Sequence, residues 1–127
     1  MRRIVSSVIF AALLLGLVSV GTPRPALAAG YDGSWMVLII TEKGSCDRGY
    51  RYSLKVANGH VSYQGDAAGV NLSGTVTPAG VVKVNLKVGD QGAVAAGRLS
   101  AGSGVGTWHG ASSGGNTCAG RWEAEKR

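Results

Sequence analysis

Apolar and polar residues alternate with a period of two through most of the chain after residue 33, and no stretch has a convincing helical period. The clearest example runs from Val81 to Val88, where valine and leucine alternate with lysine and asparagine. Period two places successive side chains on opposite faces of a β-strand. Such runs recur roughly every 10 to 12 residues, a spacing typical of all-β sandwiches and barrels.

Turn residues divide this pattern into eight predicted strands. Asn58-Gly59, for example, is a pair that favours a tight type I′ hairpin. Because every connection is short, we expect an antiparallel up-and-down meander that closes into a small barrel, with a two-sheet sandwich as the alternative. The predicted strands are Ser34 to Glu42, Arg48 to Ala57, His60 to Gln64, Val70 to Thr77, Val81 to Val88, Ala93 to Ser100, Val105 to Gly110 and Thr117 to Glu125.

The first 28 residues have the features of an export signal. Two arginines precede an apolar run, two prolines follow it, and residues 26–28 (Ala-Leu-Ala) offer small residues to a signal peptidase. The run is about 17 residues, the low limit for crossing a bilayer, so an uncleaved membrane anchor is the alternative. We predict a signal peptide over residues 1–28 and one domain over residues 29–127, periplasmic or secreted and free of the membrane after cleavage.

The predicted mature domain is mildly basic. Three of the 13 basic residues lie in the signal and all seven acidic residues lie after it, so ten bases face seven acids, a net charge of +3. The basic residues are scattered along the strands rather than clustered. This distribution gives no indication of nucleic-acid binding.

Cys46 and Cys118 are the two cysteines of the chain, and an oxidising compartment favours a disulfide between them. In a closed meander the last strand runs antiparallel beside the first, so the end of strand one lies near the start of strand eight. Cys46 sits just past that end and Cys118 at that start. The expected disulfide supports closure into a barrel, although a sandwich could also bring the two cysteines together.

No group of residues predicts a catalytic, metal or cofactor site. Residues 110–114 match the letters of a nucleophile elbow, but no predicted helix follows them as that motif requires. His60 follows a turn and His109 faces away from Trp108, so the two histidines do not predict a metal site. We expect a protein that is not an enzyme and that carries no cofactor.

Gly33-Ser34-Trp35 opens the first predicted strand. With the strand count and the export signal, this motif resembles the calycin-type barrels: lipocalins, avidins and the small bacterial metalloprotease inhibitors. Those families carry Gly-x-Trp on their first strand, and a basic residue from the end of the barrel packs on the Trp. The resemblance implies that role for Arg121 or Arg127. The C-terminal helix of lipocalins is absent here, and too few residues precede strand one for the inserted tail of the inhibitors.

The aromatic residues define a candidate ligand site. An eight-stranded barrel is just wide enough to be filled by side chains or to hold one small ligand. We therefore expect either a packed aromatic core at one end or a pocket for a small apolar or planar molecule. The residues expected on the inner face are Trp35, Tyr50, Tyr52, Trp108 and Trp122, with Tyr63 as a further candidate.

Strand one is apolar on both faces. With Trp35 assigned inward, Met36, Leu38 and Ile40 point outward. An apolar stripe on the outside of a barrel strand is usually covered by something. We expect a homodimer contact, a partner protein or a local loop at these three residues.

These observations predict a non-enzymatic exported binding protein that holds a small ligand or inhibits a partner enzyme. The alternative is a structural surface or adhesion-type module, with a link to haem acquisition. Ligand-dependent melting would separate the two, because a ligand binder is stabilised by its ligand and a structural module is not.

The export prediction has a direct test. The mature protein should be recovered outside the cytoplasm with Ala29 as its first residue, as N-terminal sequencing would show. Recovery of the intact chain from the inner membrane, with Met1 retained, would contradict it.

Overall fold

The computed structural model describes Gly16, Gly21, residues 28–112 and residues 114–127. The predicted signal peptide lies almost wholly outside these described residues. After a short 3₁₀ turn, Ala28–Tyr31, eight antiparallel strands follow one another as neighbours, and the last pairs with the first to close a barrel. The strands are β1 Gly33–Lys43, β2 Gly49–Ala57, β3 His60–Tyr63, β4 Val70–Val76, β5 Val81–Val88, β6 Gln91–Leu99, β7 Ser103–Ala111 and β8 Thr117–Lys126.

The eight-stranded meander predicted from the sequence is confirmed, and the closed sheet rules out the sandwich alternative. Most strand ends lie within a residue or two of their predicted positions. The Asn58-Gly59 turn has positive φ at both residues, 51° and 77°, as a type I′ hairpin requires. In the described ranges, no helix is long and apolar enough to cross a membrane.

The seam of the barrel lies between β1 and β8. Their pairing runs from Trp35 opposite Lys126 to Thr41 opposite Gly120, and a β-bulge follows between Thr41 and Lys43. Just past the bulge, the predicted Cys46–Cys118 disulfide is present, with its Cα atoms 6.1 Å apart. Each strand therefore has a neighbour on both sides, which removes the exposed edges that an open sheet would present.

The barrel is closed at the end where β1 begins, which we call the closed end. Tyr31 of the 3₁₀ turn packs against the core there, and its carbonyl accepts a hydrogen bond from the Trp35 indole N–H at 2.8 Å. Lys126 Nζ donates to the carbonyl of Gly30 at 3.3 Å. These bonds hold the chain that precedes β1 against the end of the barrel.

The role that the calycin resemblance implied for Arg121 is wrong. Trp122 points inward, so its neighbour Arg121 points outward, where it is 51% exposed and pairs with Glu42 (3.4 Å) and Glu123 (3.9 Å). The β8 residue directly opposite Trp35 is instead Lys126. Arg127 bonds β1 through its backbone N–H, which donates to the Ser34 carbonyl.

Glycines make room for the tryptophans on the inner face. Trp122 lies directly across from Gly106, which in turn pairs with Gly97, and its indole extends over both to donate to the Ala96 carbonyl at 3.2 Å. Trp108 likewise faces Gly120, and its indole N–H reaches the Ile40 carbonyl on β1 at 3.0 Å. A glycine opposite an aromatic residue lets the ring cover the backbone.

This packing predicts the effect of adding one methyl group. A Cβ at Gly106 would collide with the Ala96 carbonyl and the Trp122 indole. We expect Gly106→Ala to displace the ring and lower the free energy of unfolding by about 1–3 kcal/mol. Gly102→Ala is the matched control, since nothing lies within 4 Å of its Cβ position. Equal denaturation midpoints for the two variants would contradict the packing described.

The seam predicts a second stability effect. Cys118→Ser should lower the free energy of unfolding by roughly 2–5 kcal/mol, because the disulfide closes a long loop in the unfolded chain. Urea denaturation of the variant beside the oxidised parent measures this loss. Two free thiols in the denatured, unreduced parent would show that the bond does not form.

Candidate functional site

The interior of the barrel is filled at the closed end and hollow at the other, which we call the open end. The most buried side chains, among them Trp35, Val56 and Trp122, lie toward the closed end. Beyond them lies a cavity of about 410 Å³. It opens between the β1–β2 loop, residues 44–48, and the β7–β8 loop, of which Ser112 and Asn116 line the rim. We call this space the cavity and its opening the mouth.

The cavity exists because small residues line one wall of it. Toward the open end, the inner face of β6 carries Ala93 and Ala95, and β7 carries Gly110. At the closed end the Trp122 ring fills the space above the glycines of the same two strands. No comparably large side chain covers Ala93 and Ala95, while the facing walls are built from valine and leucine.

Three tryptophans border the cavity with their polar atoms already satisfied. The indole N–H groups of Trp35, Trp108 and Trp122 each donate to a backbone carbonyl, those of Tyr31, Ile40 and Ala96. A buried indole that lacked such a partner would cost free energy. The rings are thus held in place and present apolar surface to the cavity.

Tyrosines shape the open end. The Tyr50 hydroxyl accepts a hydrogen bond from the Asp47 backbone N–H at 3.1 Å, which ties the β1–β2 loop to β2. The Tyr63 hydroxyl accepts one from the Ala67 N–H at 3.2 Å and so holds the β3–β4 loop. Tyr52 stands edge-on to Tyr63, with ring centroids 6.3 Å apart.

The ionisation of Tyr52, a tyrosine that lines the cavity, is perturbed by its surroundings. Burial raises the pKa of its phenol above the usual 10.0, and the neighbouring Tyr50 and Tyr63 add to the effect. The hydroxyl therefore stays protonated at any physiological pH. It makes no hydrogen bond to another described residue, and no described side-chain polar atom is both buried and unpartnered. The phenol is therefore accessible and can donate to a molecule in the cavity.

The five residues expected at a ligand site all line the cavity: Trp35, Tyr50, Tyr52, Trp108 and Trp122. Tyr63, the further candidate, packs against the side of Tyr52 instead.

The sequence analysis missed two parts of the site. One is the wall of small residues on β6 and β7, and the other is the set of polar residues at the mouth, Ser45, Gln91, Ser112 and Asn116. The wall could have been predicted from residues 93–97, because the inward positions of this run, Ala93, Ala95 and Gly97, are all small.

The outward stripe lies where the sequence placed it. Met36, Leu38 and Ile40 are half-buried between the side chains of β2 and β8, and Leu38 stands between Arg51 and Glu123. The most exposed large apolar residue is one that the sequence analysis did not single out, Val105 on β7, at 64%. It lies on the other side of Glu123 from Leu38.

The two histidines lie outside the cavity. His60 and His109 are exposed on the outer face, and His109 points away from the inward Trp108. Across the part of the chain that the structure describes, no three His, Cys, Asp or Glu side chains are grouped so that they could hold a metal ion.

Comparison with known proteins gives no relative for this chain. No family model, no curated protein and no solved structure matches it. The barrel itself is compatible with a calycin-type architecture.

Proposed function

We propose that this protein binds a small, largely apolar molecule inside its barrel. The observation that carries the proposal is the cavity of about 410 Å³, walled by apolar side chains and open at one end. Ligand sites are typically concave, mostly apolar and about 300–1,000 Å³ in volume, with a few polar groups that orient the ligand. The cavity meets each of these criteria.

The free-energy cost of unfilled apolar space favours a binding site over a packing defect as the reason for the cavity. Apolar space left unfilled inside a protein costs roughly 24 cal/mol per Å³. Valine or leucine at Ala93 and Ala95 would fill part of the cavity without leaving the period-two pattern. A barrel serving only as a structural module gains nothing from alanine at both positions, whereas a ligand-binding barrel requires the space.

The mouth is also suited to binding. The disulfide and the hydrogen bonds from Asp47 to Tyr50 and from Ala67 to Tyr63 restrain the loops around it. A site whose loops are fixed in advance loses less entropy when a ligand enters. The calycin resemblance of Gly33-Ser34-Trp35 supports the same interpretation, since barrels of that type include ligand carriers.

The remaining parts of the functional hypothesis stay predictions. The disulfide is consistent with an oxidising, exported location, periplasmic or secreted. Enzyme inhibition or homodimer contact through Met36, Leu38 and Ile40 is the second proposal. The structural or adhesion-type module, with its link to haem acquisition, is the competing class, and it predicts no ligand in the cavity.

A variant that fills the cavity tests the proposal. Ala95 faces inward and Ala96 outward, so Ala95→Phe and Ala96→Phe place the same ring inside and outside the barrel. The binding probe is N-phenyl-1-naphthylamine, a neutral apolar dye that brightens when it leaves water. We expect Ala95→Phe to weaken dye binding roughly tenfold or more, a loss of about 1.4 kcal/mol, and Ala96→Phe to leave it unchanged.

Thermal melting provides the second readout. Bound dye should raise the melting temperature of the parent and of Ala96→Phe, and the rise should grow with dye concentration. Ala95→Phe should melt no lower than the parent without dye, because the added ring occupies existing space. Equal dye binding by both variants, or none by the parent, would contradict the proposal.

A further inference from the structure

The charges around the cavity restrict what it can hold. Of the described residues that line it, only Asp47 is ionisable with a charge at neutral pH, and none is lysine, arginine or histidine. An anionic group entering the cavity would leave water without meeting a cationic partner. Moving an unpaired charge out of water is strongly unfavourable.

A cationic group gains little there either. Asp47 is exposed to solvent in the β1–β2 loop, and its backbone N–H, not its carboxylate, is what bonds to the cavity wall through Tyr50. An exposed carboxylate is screened by water and salt, so its attraction for a ligand cation is weak. Deeper in the cavity the walls are apolar and offer an ammonium group no carboxylate at all.

The polar groups that remain are neutral, and Tyr52 is the best placed of them. It lies opposite Val37 on β1, one inward position deeper than Tyr50, which lies opposite Ile39. Its hydroxyl has no hydrogen-bond partner among the described residues and stays protonated, so it can donate one bond to a ligand. Gln91 and Asn116 offer further neutral groups elsewhere on the cavity lining.

We propose that the ligand is an uncharged amphiphile whose apolar body lies against the tryptophans and whose hydrogen-bond acceptor meets the Tyr52 hydroxyl. This inference rests on the proposed function and adds the chemical class of the molecule: an ester, ketone, lactone or alcohol. A carboxylate or an amine with the same hydrocarbon chain is excluded by the charges of the same site.

Displacement of N-phenyl-1-naphthylamine by a matched ligand set tests the inference on the full mature protein. Methyl decanoate, decanoate and decylamine share a ten-carbon chain and are neutral, anionic and cationic at neutral pH. We expect methyl decanoate to displace the dye at concentrations roughly tenfold lower than either charged compound. Equal or stronger displacement by decanoate or decylamine would overturn the inference, while the dye binding itself would leave the proposed function standing.

Two tyrosine variants test the contact. Tyr52→Phe should weaken methyl decanoate roughly 3- to 10-fold, the value of one hydrogen bond, and this loss should exceed any change in the affinity for the dye, which has no carbonyl acceptor. Tyr31→Phe is the matched control, since Tyr31 packs against the core at the closed end and does not line the cavity. Equal effects of both variants on methyl decanoate would overturn the role of Tyr52. Failure of the parent to bind the dye would overturn both the inference and the proposed function.

Discussion

The pairing of β1 with β8 is the interaction on which the rest of this molecule depends. Without it both strands would be exposed edges, and the sheet would have an inner face with nothing opposite it. Closure also supplies a bond that no single hairpin could provide. The Trp108 indole on β7 donates to the Ile40 carbonyl on β1, so it finds its partner only when β8 stands between the two. The disulfide holds this seam at the open end, and the contacts of Tyr31 and Lys126 hold the closed end.

Inside the closed sheet, the sizes of a few side chains separate core from cavity. Trp122 covers the glycines of β6 and β7 near the closed end, and that half is packed. The next two inward positions of β6 toward the open end are Ala95 and Ala93, and no aromatic ring of the described residues covers them. The barrel is thus stabilised at one end and left hollow at the other. This asymmetry is what a binding barrel needs, because a rigid floor allows the empty half to keep its shape.

The mouth combines covalent and hydrogen-bonded restraints. The Cys46–Cys118 disulfide and the Tyr50 hydroxyl both fix the β1–β2 loop, and Tyr63 fixes the loop on the adjacent side. Tyr52 lies between these two tyrosines, and its own hydroxyl makes no hydrogen bond to a described residue. The tyrosines therefore divide into two that build the mouth and one that is available to a ligand.

Inspection of the residues was enough to predict the number of strands, their order, the Asn58-Gly59 hairpin, the disulfide and the face on which each tryptophan lies. The strands, their faces and the hairpin follow from period two and from the chemistry of turns, which are local properties of the chain. The strand order follows from the short connections, and the disulfide from the presence of two cysteines at the ends of strands that closure brings together. The outward position of Arg121 could also have been predicted, because period two sends that residue outward once Trp122 is inward. The calycin resemblance had offered Arg121 or Arg127 as the basic residue on Trp35, and of these the structure excludes Arg121.

The cavity at the open end of the barrel, in contrast, could be seen only in the folded molecule. Alternation tells which side chains face inward, but not how closely the opposite walls approach or which ring covers which glycine. Trp122 fills the closed end because the registers of β6, β7 and β8 put Gly106 and Gly97 into one row beside it, and Ala95 remains uncovered because Trp108 turns the other way, toward β1. The row of glycines depends on the register between neighbouring strands, and the direction of Trp108 depends on the pairing of β8 with β1, two strands at opposite ends of the domain. Neither relation can be read from alternation within a single strand.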